Sequence, residues 1–468
     1  MKYVSTRGEA PELAFDDVLL AGLATDGGLY VPADWPQFSA SDFEAMAGLS
    51  YADIAYRVIR PFVGGAIPDD ALKAMVDDTY AGFGHDAVAP IKQIGANDWL
   101  MELFHGPTLA FKDYALQLVG RMFDHVLAAK GERVTIVGAT SGDTGSAAIE
   151  ACRDRDNIDV YILFPKGRVS PVQQRQMTTV NAENVHAVAV DGTFDDCQDL
   201  VKAMFNDAQF RMAHNLSAVN SINWARVLIQ IVYYVVAAIR LGAPHRPVSF
   251  AVPTGNFGNV LAGWAAWKCG LQVDRLVVGT NSNDILFRFF ETGEMKMAGV
   301  APTLSPSMDI QVSSNFERLL FDMLDGDGAA VRDWLAAFRE NGTVYVDDTR
   351  LAKAREKFDA ARLDDDGTRR VICEVYENVG ELLDPHSAIG VDAARQCRGD
   401  AGVPIISLAT AHPAKFPDAV ESATGIRPEL PPRMADLFDR SESFDTLAND
   451  ASALQDFIRR TAGGTDGA

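Results

Sequence analysis

The stretch Arg133-Val-Thr-Ile-Val-Gly-Ala-Thr-Ser-Gly-Asp-Thr-Gly-Ser-Ala147 decides the fold. Residues 133–137 are a short apolar run of the length expected for a buried strand, and they break into a turn rich in Gly, Thr and Ser before a helical segment at 146–153. The same order recurs at Val248-Ser-Phe-Ala-Val252, which feeds the turn Pro253-Thr-Gly-Asn-Phe-Gly-Asn259 and then a helical segment at 261–268. Short apolar runs at 160–164, 185–190, 275–279 and 404–408 add further strands. Strands alternating with helices predict an α/β architecture with mainly parallel sheets. Both glycine turns then fall at the carboxyl end of a strand, where open α/β sheets bind their ligands.

Neither turn is a nucleotide fingerprint. In the first, the spacing of Gly138, Gly142 and Gly145 fails the G-x-G-x-x-G pattern of dinucleotide folds, and no Gly-Lys-Ser/Thr follows as in a P-loop. A nicotinamide dehydrogenase is thereby excluded. Thr140, Ser141 and Thr144 crowd hydroxyls and backbone amides at a helix start, which suits a carboxylate or phosphate. A tight strand-to-helix turn with ordinary Ser, Thr and Asp caps is the alternative. In the second turn, Gly255 and Gly258 permit close backbone approach, and Asn256 and Asn259 supply amides.

Upstream lies Leu103-Phe-His-Gly-Pro-Thr-Leu-Ala-Phe-Lys-Asp113. Lys112 follows an apolar triplet, and Gly106-Pro107 forces a turn just before the helix it opens. A lysine desolvated in such a setting loses its proton more readily and can attack a carbonyl; an ordinary surface lysine is the competing reading. An imine-forming lysine combined with two anion cradles is what a pyridoxal phosphate enzyme acting on an amino acid requires.

The 468-residue length implies two or three domains, and 48% hydrophobic content supplies large cores. A formal net charge of −22 disfavours nucleic acid and anionic membranes as partners. The five cysteines show no CxxC pairing, so zinc ribbons, other metal sites and disulfide frameworks are not expected, and a cytoplasmic location is. MKYVSTRGEA lacks the apolar core of a secretory signal. The longest apolar run, 227–239, is too short to span a bilayer, which takes about 20 residues, and reads as a buried helix. Residues 1–95 read as a separate N-terminal domain, 96–125 with 225–468 as a large domain, and 126–224 as a small α/β domain. The segment 364–370 reads as a polar loop before a strand at 371–374, and 462–468 as a mobile tail.

FHGPTLAFKD, GATSGDTGSAA, LFPKGRVSPVQQRQM, SINWARVLIQ, PTGNFGN, MDIQVSSNFERLLF and LATAHPAKFP, with STRG and DGGLYVP near the start, together resemble the threonine synthases of the long bacterial and fungal type. The resemblance runs in order from about residue 3 to about residue 455. It implies the tryptophan synthase β-like fold (fold type II), with two α/β domains, parallel-rich sheets and an N-terminal domain. It also implies pyridoxal 5′-phosphate as cofactor and O-phospho-L-homoserine as substrate, converted with water to L-threonine and phosphate. By motif position Lys112 is the Schiff-base lysine, which also moves the proton at the substrate Cα. Gly255, Asn256, Phe257, Gly258 and Asn259 form the cofactor-phosphate loop, Thr410 is the hydroxyl partner of the pyridine nitrogen, and Asp143 stands near the cofactor.

The second phosphate, carried by substrate, needs local cations in an acidic protein. Lys166, Arg168, Arg226 and Arg318 are the candidates, with Ser141, Thr144, Ser314 and Asn315 as donors, and for each cation a structural or surface ion pair is the alternative. Arg168 lies in a polar segment rich in Gln, where simple solvation of its side chain is a further alternative. His105 reads as a packed, hydrogen-bonded histidine, and Lys415 as a distant contributor to the site. Three rival functions stand beside the main one: a phospholyase giving a 2-oxo acid, a serine/threonine dehydratase, and a catalytically idle binding protein of the same fold. The relatives allow a monomer or a homodimer.

Overall fold

A computed structural model describes residues 1–218 and 221–462, so 463–468 of the tail expected to be mobile lie outside the described residues. In chain order, the elements that bear on the site begin with β1 (Ile91–Gln93), β2 (Asp98–Glu102), α1 (Lys112–Lys130), β3 (Val134–Ala139) and α2 (Asp143–Cys152). Next come β4 (Ile158–Pro165), α3 (Pro171–Thr178), β5 (Val185–Val190), β6 (Leu216–Ser217), α4 (Trp224–Arg240), β7 (Val248–Pro253) and α5 (Gly258–Lys268). The last are β8 (Val273–Thr280), α6 (Phe316–Met323), β9 (Phe358–Arg362), α7 (Asp365–Val379), α8 (Pro385–Gln396), β10 (Ile405–Ala409), β11 (Asp445–Leu447) and α9 (Ala451–Thr461).

The chain forms two compact units. One joins Met1–Phe111 to Ser221–Pro428; the other takes the stretches that open at Lys112 and at Glu429. The first unit holds a six-stranded sheet in the order β9-β8-β7-β10-β2-β1, parallel except for β1 against β2. Its central strand β7 is buried at every position, which is why its sequence runs apolar rather than alternating. The apolar run at 227–239 is the middle of α4, a helix buried along nearly its whole length. No helix of the described residues is long and apolar enough to cross a membrane. The second unit holds a five-stranded parallel sheet, β11-β5-β4-β3-β6. The α/β class and the parallel-rich sheets expected from the sequence are both present.

The N-terminal region packs on the first unit: Arg7 makes a 3.0 Å ion pair with Glu317 on α6 and Thr6 donates its hydroxyl to the same carboxylate. Helix α1 groups with the second unit, where it packs on α2. The C-terminal stretch from 429 also groups there: β11 pairs with β5, and Leu454, Phe457 and Ile458 of α9 enter the core beneath that sheet. One local element differs from the sequence reading. Residues 371–374 are helical, not a strand, because Asp364 caps α7 by accepting the Gly367 N–H, and Val371, Ile372 and Val375 fall on one buried helical face.

Candidate active site

In the first unit, β7 delivers the chain into the turn 253–259 and α5 receives it. Phe257 has φ of 63°, a left-handed conformation that is costly for a side chain of this size. Its ring pins that geometry by packing among Phe290, Phe316 and Phe358. The N-terminus of α5 has no side-chain cap, so its first N–H groups are left to a ligand. The Asn259 Oδ1 accepts from the hydroxyls of Tyr233 (2.6 Å) and Tyr234 (2.9 Å), which leaves its buried Nδ2 without a partner. At Gly255 an added Cβ would lie 3.0 Å from the Ser307 carbonyl oxygen and 3.2 Å from the Met308 Cα, so a side chain there would press on the backbone at 307–308. These features fit a bound phosphate.

Arg226 sits in the first turn of α4, only 4% exposed, and its Nε and Nη1 have no hydrogen-bond partner. Burial pulls its pKa down to about 10, so it remains a cation at neutral pH. Arg318 is also fully buried, but its guanidinium is spent on protein acceptors: the carbonyls of Tyr30 and Ile222 and the Asn315 Oδ1. Asn315 in turn donates to the carbonyls of Ser221 and Asn256, both at 3.0 Å. The pair therefore braces the loop 255–259. Ser314 is half-buried beside them.

Thr410 follows β10 and is held through its backbone. Its carbonyl accepts from the Phe111 N–H, and its N–H donates to the Ser387 Oγ. Ser387 is fixed by Asp384, a fully buried N-cap of α8 that also accepts from the His386 Nδ1 at 2.6 Å. Lys415, expected to approach the site, is fully buried and donates to the Thr108 carbonyl at 2.7 Å. His105 is packed and hydrogen-bonded as expected, with its Nε2 2.6 Å from a Glu102 carboxylate oxygen.

In the second unit, Lys112 opens α1. The residue is 8% exposed, and its Nζ lies 3.2 Å from the Asp143 Oδ2 at the start of α2. The Thr140 hydroxyl accepts from the N–H groups of Gly142 and Gly145, both at 2.9 Å, which shapes the turn. Ser141 is exposed and Thr144 half-buried. Lys166 is more than half exposed and lies 3.4 Å from Asp191; Arg168 is exposed as well. Both occupy the loop after β4 and have the surroundings of surface cations. The sequence reading missed Gln173. The Gln-rich segment that follows Arg168 places this side chain in the interior, 5% exposed, with its Nε2 2.8 Å from the Asp143 Oδ1.

Each unit by itself carries a feature that a pyridoxal-phosphate-dependent enzyme uses: the second a buried lysine beside a carboxylate, the first an uncapped helix start with a buried unpartnered amide at a strand end. A family model of that description matches residues 86–338. Models for the threonine synthase N terminus and C-terminal region match 2–80 and 387–458. The chain is 56% identical over 459 residues to the threonine synthase of Pseudomonas aeruginosa, covering 98% of each. It also aligns with the crystal structure of PLP-bound threonine synthase from Brucella melitensis at 55% identity and a TM-score of 0.98, covering 99% of this chain and 100% of that one. For the yeast threonine synthase structure the identity is 40% and the TM-score 0.94, with 98% of both chains covered. The chain belongs to the threonine synthase family.

Proposed function

We infer that the protein converts O-phospho-L-homoserine and water to L-threonine and phosphate, with pyridoxal phosphate as cofactor. The observation that carries this reading is the pair of unsatisfied donor sets in the first unit. One is the Asn259 Nδ2 at the uncapped start of α5; the other is the Nε and Nη1 of Arg226. A buried donor without an acceptor is costly, and a buried guanidinium more so. The cofactor phosphate satisfies the first set, and a phosphate on the substrate satisfies the second. A dehydratase substrate, which carries no phosphate, would leave Arg226 unmatched.

When bound, pyridoxal phosphate supplies an electron sink that stabilises negative charge on substrate carbons. The chain's own residues do the rest. Lys112 would hold the cofactor covalently and would carry the proton at the substrate Cα. Asp143 keeps the lysine nitrogen in place. The loop from Gly255 to Asn259 would hold the cofactor phosphate, and Thr410 would offer the cofactor a neutral hydroxyl. Arg226 holds the substrate phosphate against the positive end of α4. Ser141, Thr144 and Ser314 remain as donors to the substrate's polar groups. All five cysteines are unpaired, in keeping with a cytoplasmic enzyme, and a monomer or homodimer fits the reading.

The test is a product assay with purified protein, pyridoxal phosphate and O-phospho-L-homoserine, following phosphate, threonine and 2-oxobutyrate. Phosphate and threonine in equal amounts are expected. Phosphate with 2-oxobutyrate would mean a phospholyase; no phosphate would remove the substrate assignment. The cradle has its own check. Gly255→Ala pushes a methyl group onto the backbone at 307–308, and a strain of about 1–2 kcal/mol should weaken pyridoxal phosphate binding by about tenfold. Equilibrium dialysis of the apoenzyme measures it.

A further inference from the structure

Residues 170–173, Ser-Pro-Val-Gln, spell a capping box, in which the first side chain bonds the backbone of the fourth and the fourth reaches back to the first. Only half of it forms. Ser170 accepts the Gln173 N–H at 3.3 Å and Pro171 occupies the first helical position of α3, but the Gln173 side chain goes elsewhere. It reaches the Asp143 Oδ1 at 2.8 Å, while the Asp143 Oδ2 faces the Lys112 Nζ at 3.2 Å. A carboxylate only accepts, so the glutamine must present its NH2 there.

The amide also lies flat against Gly142, where an added Cβ would come within 2.4 Å of the Gln173 Cδ and Oε1 and 2.6 Å of its Nε2. With φ of 144°, Gly142 thus has two independent reasons to be glycine: its backbone conformation and the space the amide fills. Lys112, Asp143 and Gln173 are each at most 8% exposed, so little water is at hand to replace a lost bond.

We propose that Gln173 is a positioning residue for Lys112, acting through Asp143. By holding one carboxylate oxygen, it fixes the rotamer that turns the other toward the lysine nitrogen, and so sets where that nitrogen stands when it binds the cofactor and moves the proton. The proposal rests on the assignment of Lys112 as the cofactor-bearing lysine. Borohydride reduction of the holoenzyme followed by peptide mass spectrometry tests that assignment separately: label on any other lysine would remove it without reference to Gln173.

The decisive experiment is a double-mutant cycle on the holoenzyme with Gln173→Met, which keeps the length and loses the donor, Asp143→Leu, which keeps much of the volume and loses the acceptor, and both together. Each variant is read by the visible absorbance of bound pyridoxal phosphate, by the cofactor dissociation constant, and by kcat and KM for O-phospho-L-homoserine. Gln173→Met should lower kcat by about 10–100-fold with KM nearly unchanged, and should move the absorbance band in the same direction as Asp143→Leu. Adding it to Asp143→Leu should change little more. If Gln173→Met leaves both kcat and the spectrum at wild-type values, or costs the same factor whether or not Asp143 is present, the proposal is wrong. Gln173→Asn withdraws the amide by one methylene and guards against a variant that fails to fold; it should show the same signature at reduced size, and a wild-type spectrum in it would also overturn the idea.

Discussion

Lys112→Ala is expected to lower kcat by about 10⁴-fold or more, because in the proposed function one side chain serves as both covalent anchor and proton carrier. Cofactor binding should weaken but persist, since the phosphate cradle of the loop 255–259 is untouched. The substitution should also lower thermal stability. The amine it removes is a close cationic partner of a carboxylate that is 5% exposed, and stripping one member from a buried pair leaves the other charge poorly compensated. Lys112→Arg separates the two effects. A guanidinium restores a positive charge beside Asp143 and should recover most of the lost Tm, yet it cannot form the covalent link and should leave turnover near the alanine level. Substantial turnover in either variant would remove Lys112 from the mechanism. Thermal melts and single-turnover assays on the same preparations supply both readings.

The contrast between Lys112 and Gln173 shows what was legible in the sequence. Strand-forming runs announced themselves because a parallel strand buried on both faces is mostly apolar, as in β4 and β7. The glycine turns were visible because their spacing at strand ends has few uses. Lys112 stood out against its apolar neighbours. What escaped notice depended on where a polar side chain points. Gln173 sits in a run of polar residues, and the local clue was a capping box whose second half could be spent on a distant acceptor. Arg226 and Arg318 were indistinguishable by type and neighbourhood, yet one has unmatched donors and the other is consumed by backbone carbonyls. The strand β11 is three residues long and mostly exposed, so no apolar pattern marks it. At 365–379, a cap at Asp364 converted an apparent β run into a helix.

Replacing Arg226 with methionine should separate function from stability with opposite signs. Truncating one partner of a buried, hydrogen-bonded charge pair costs about 2–5 kcal/mol. A loss in the middle of that range corresponds to a fall of about 10²–10³-fold in kcat/KM for O-phospho-L-homoserine. The spectrum of bound pyridoxal phosphate should not change, because the cradle at Gly255 to Asn259 is intact. Without ligand, however, wild type holds a guanidinium with two unmatched donors in the interior, and burial has already dragged its pKa down to about 10. Methionine fills similar space without that cost, so the unliganded variant should melt at the same temperature or about 2 °C higher. Millimolar inorganic phosphate should raise the Tm of wild type and leave the variant where it was. Arg226→Lys keeps the charge but loses the fork and should fall between the two. A variant that retains wild-type kcat/KM, or that is stabilised by phosphate as much as wild type, would return Arg226 to the role of a structural cation and move the substrate phosphate to another group. The opposing signs are what make the experiment decisive: a residue kept for packing alone should not make the ligand-free protein more stable when it is removed.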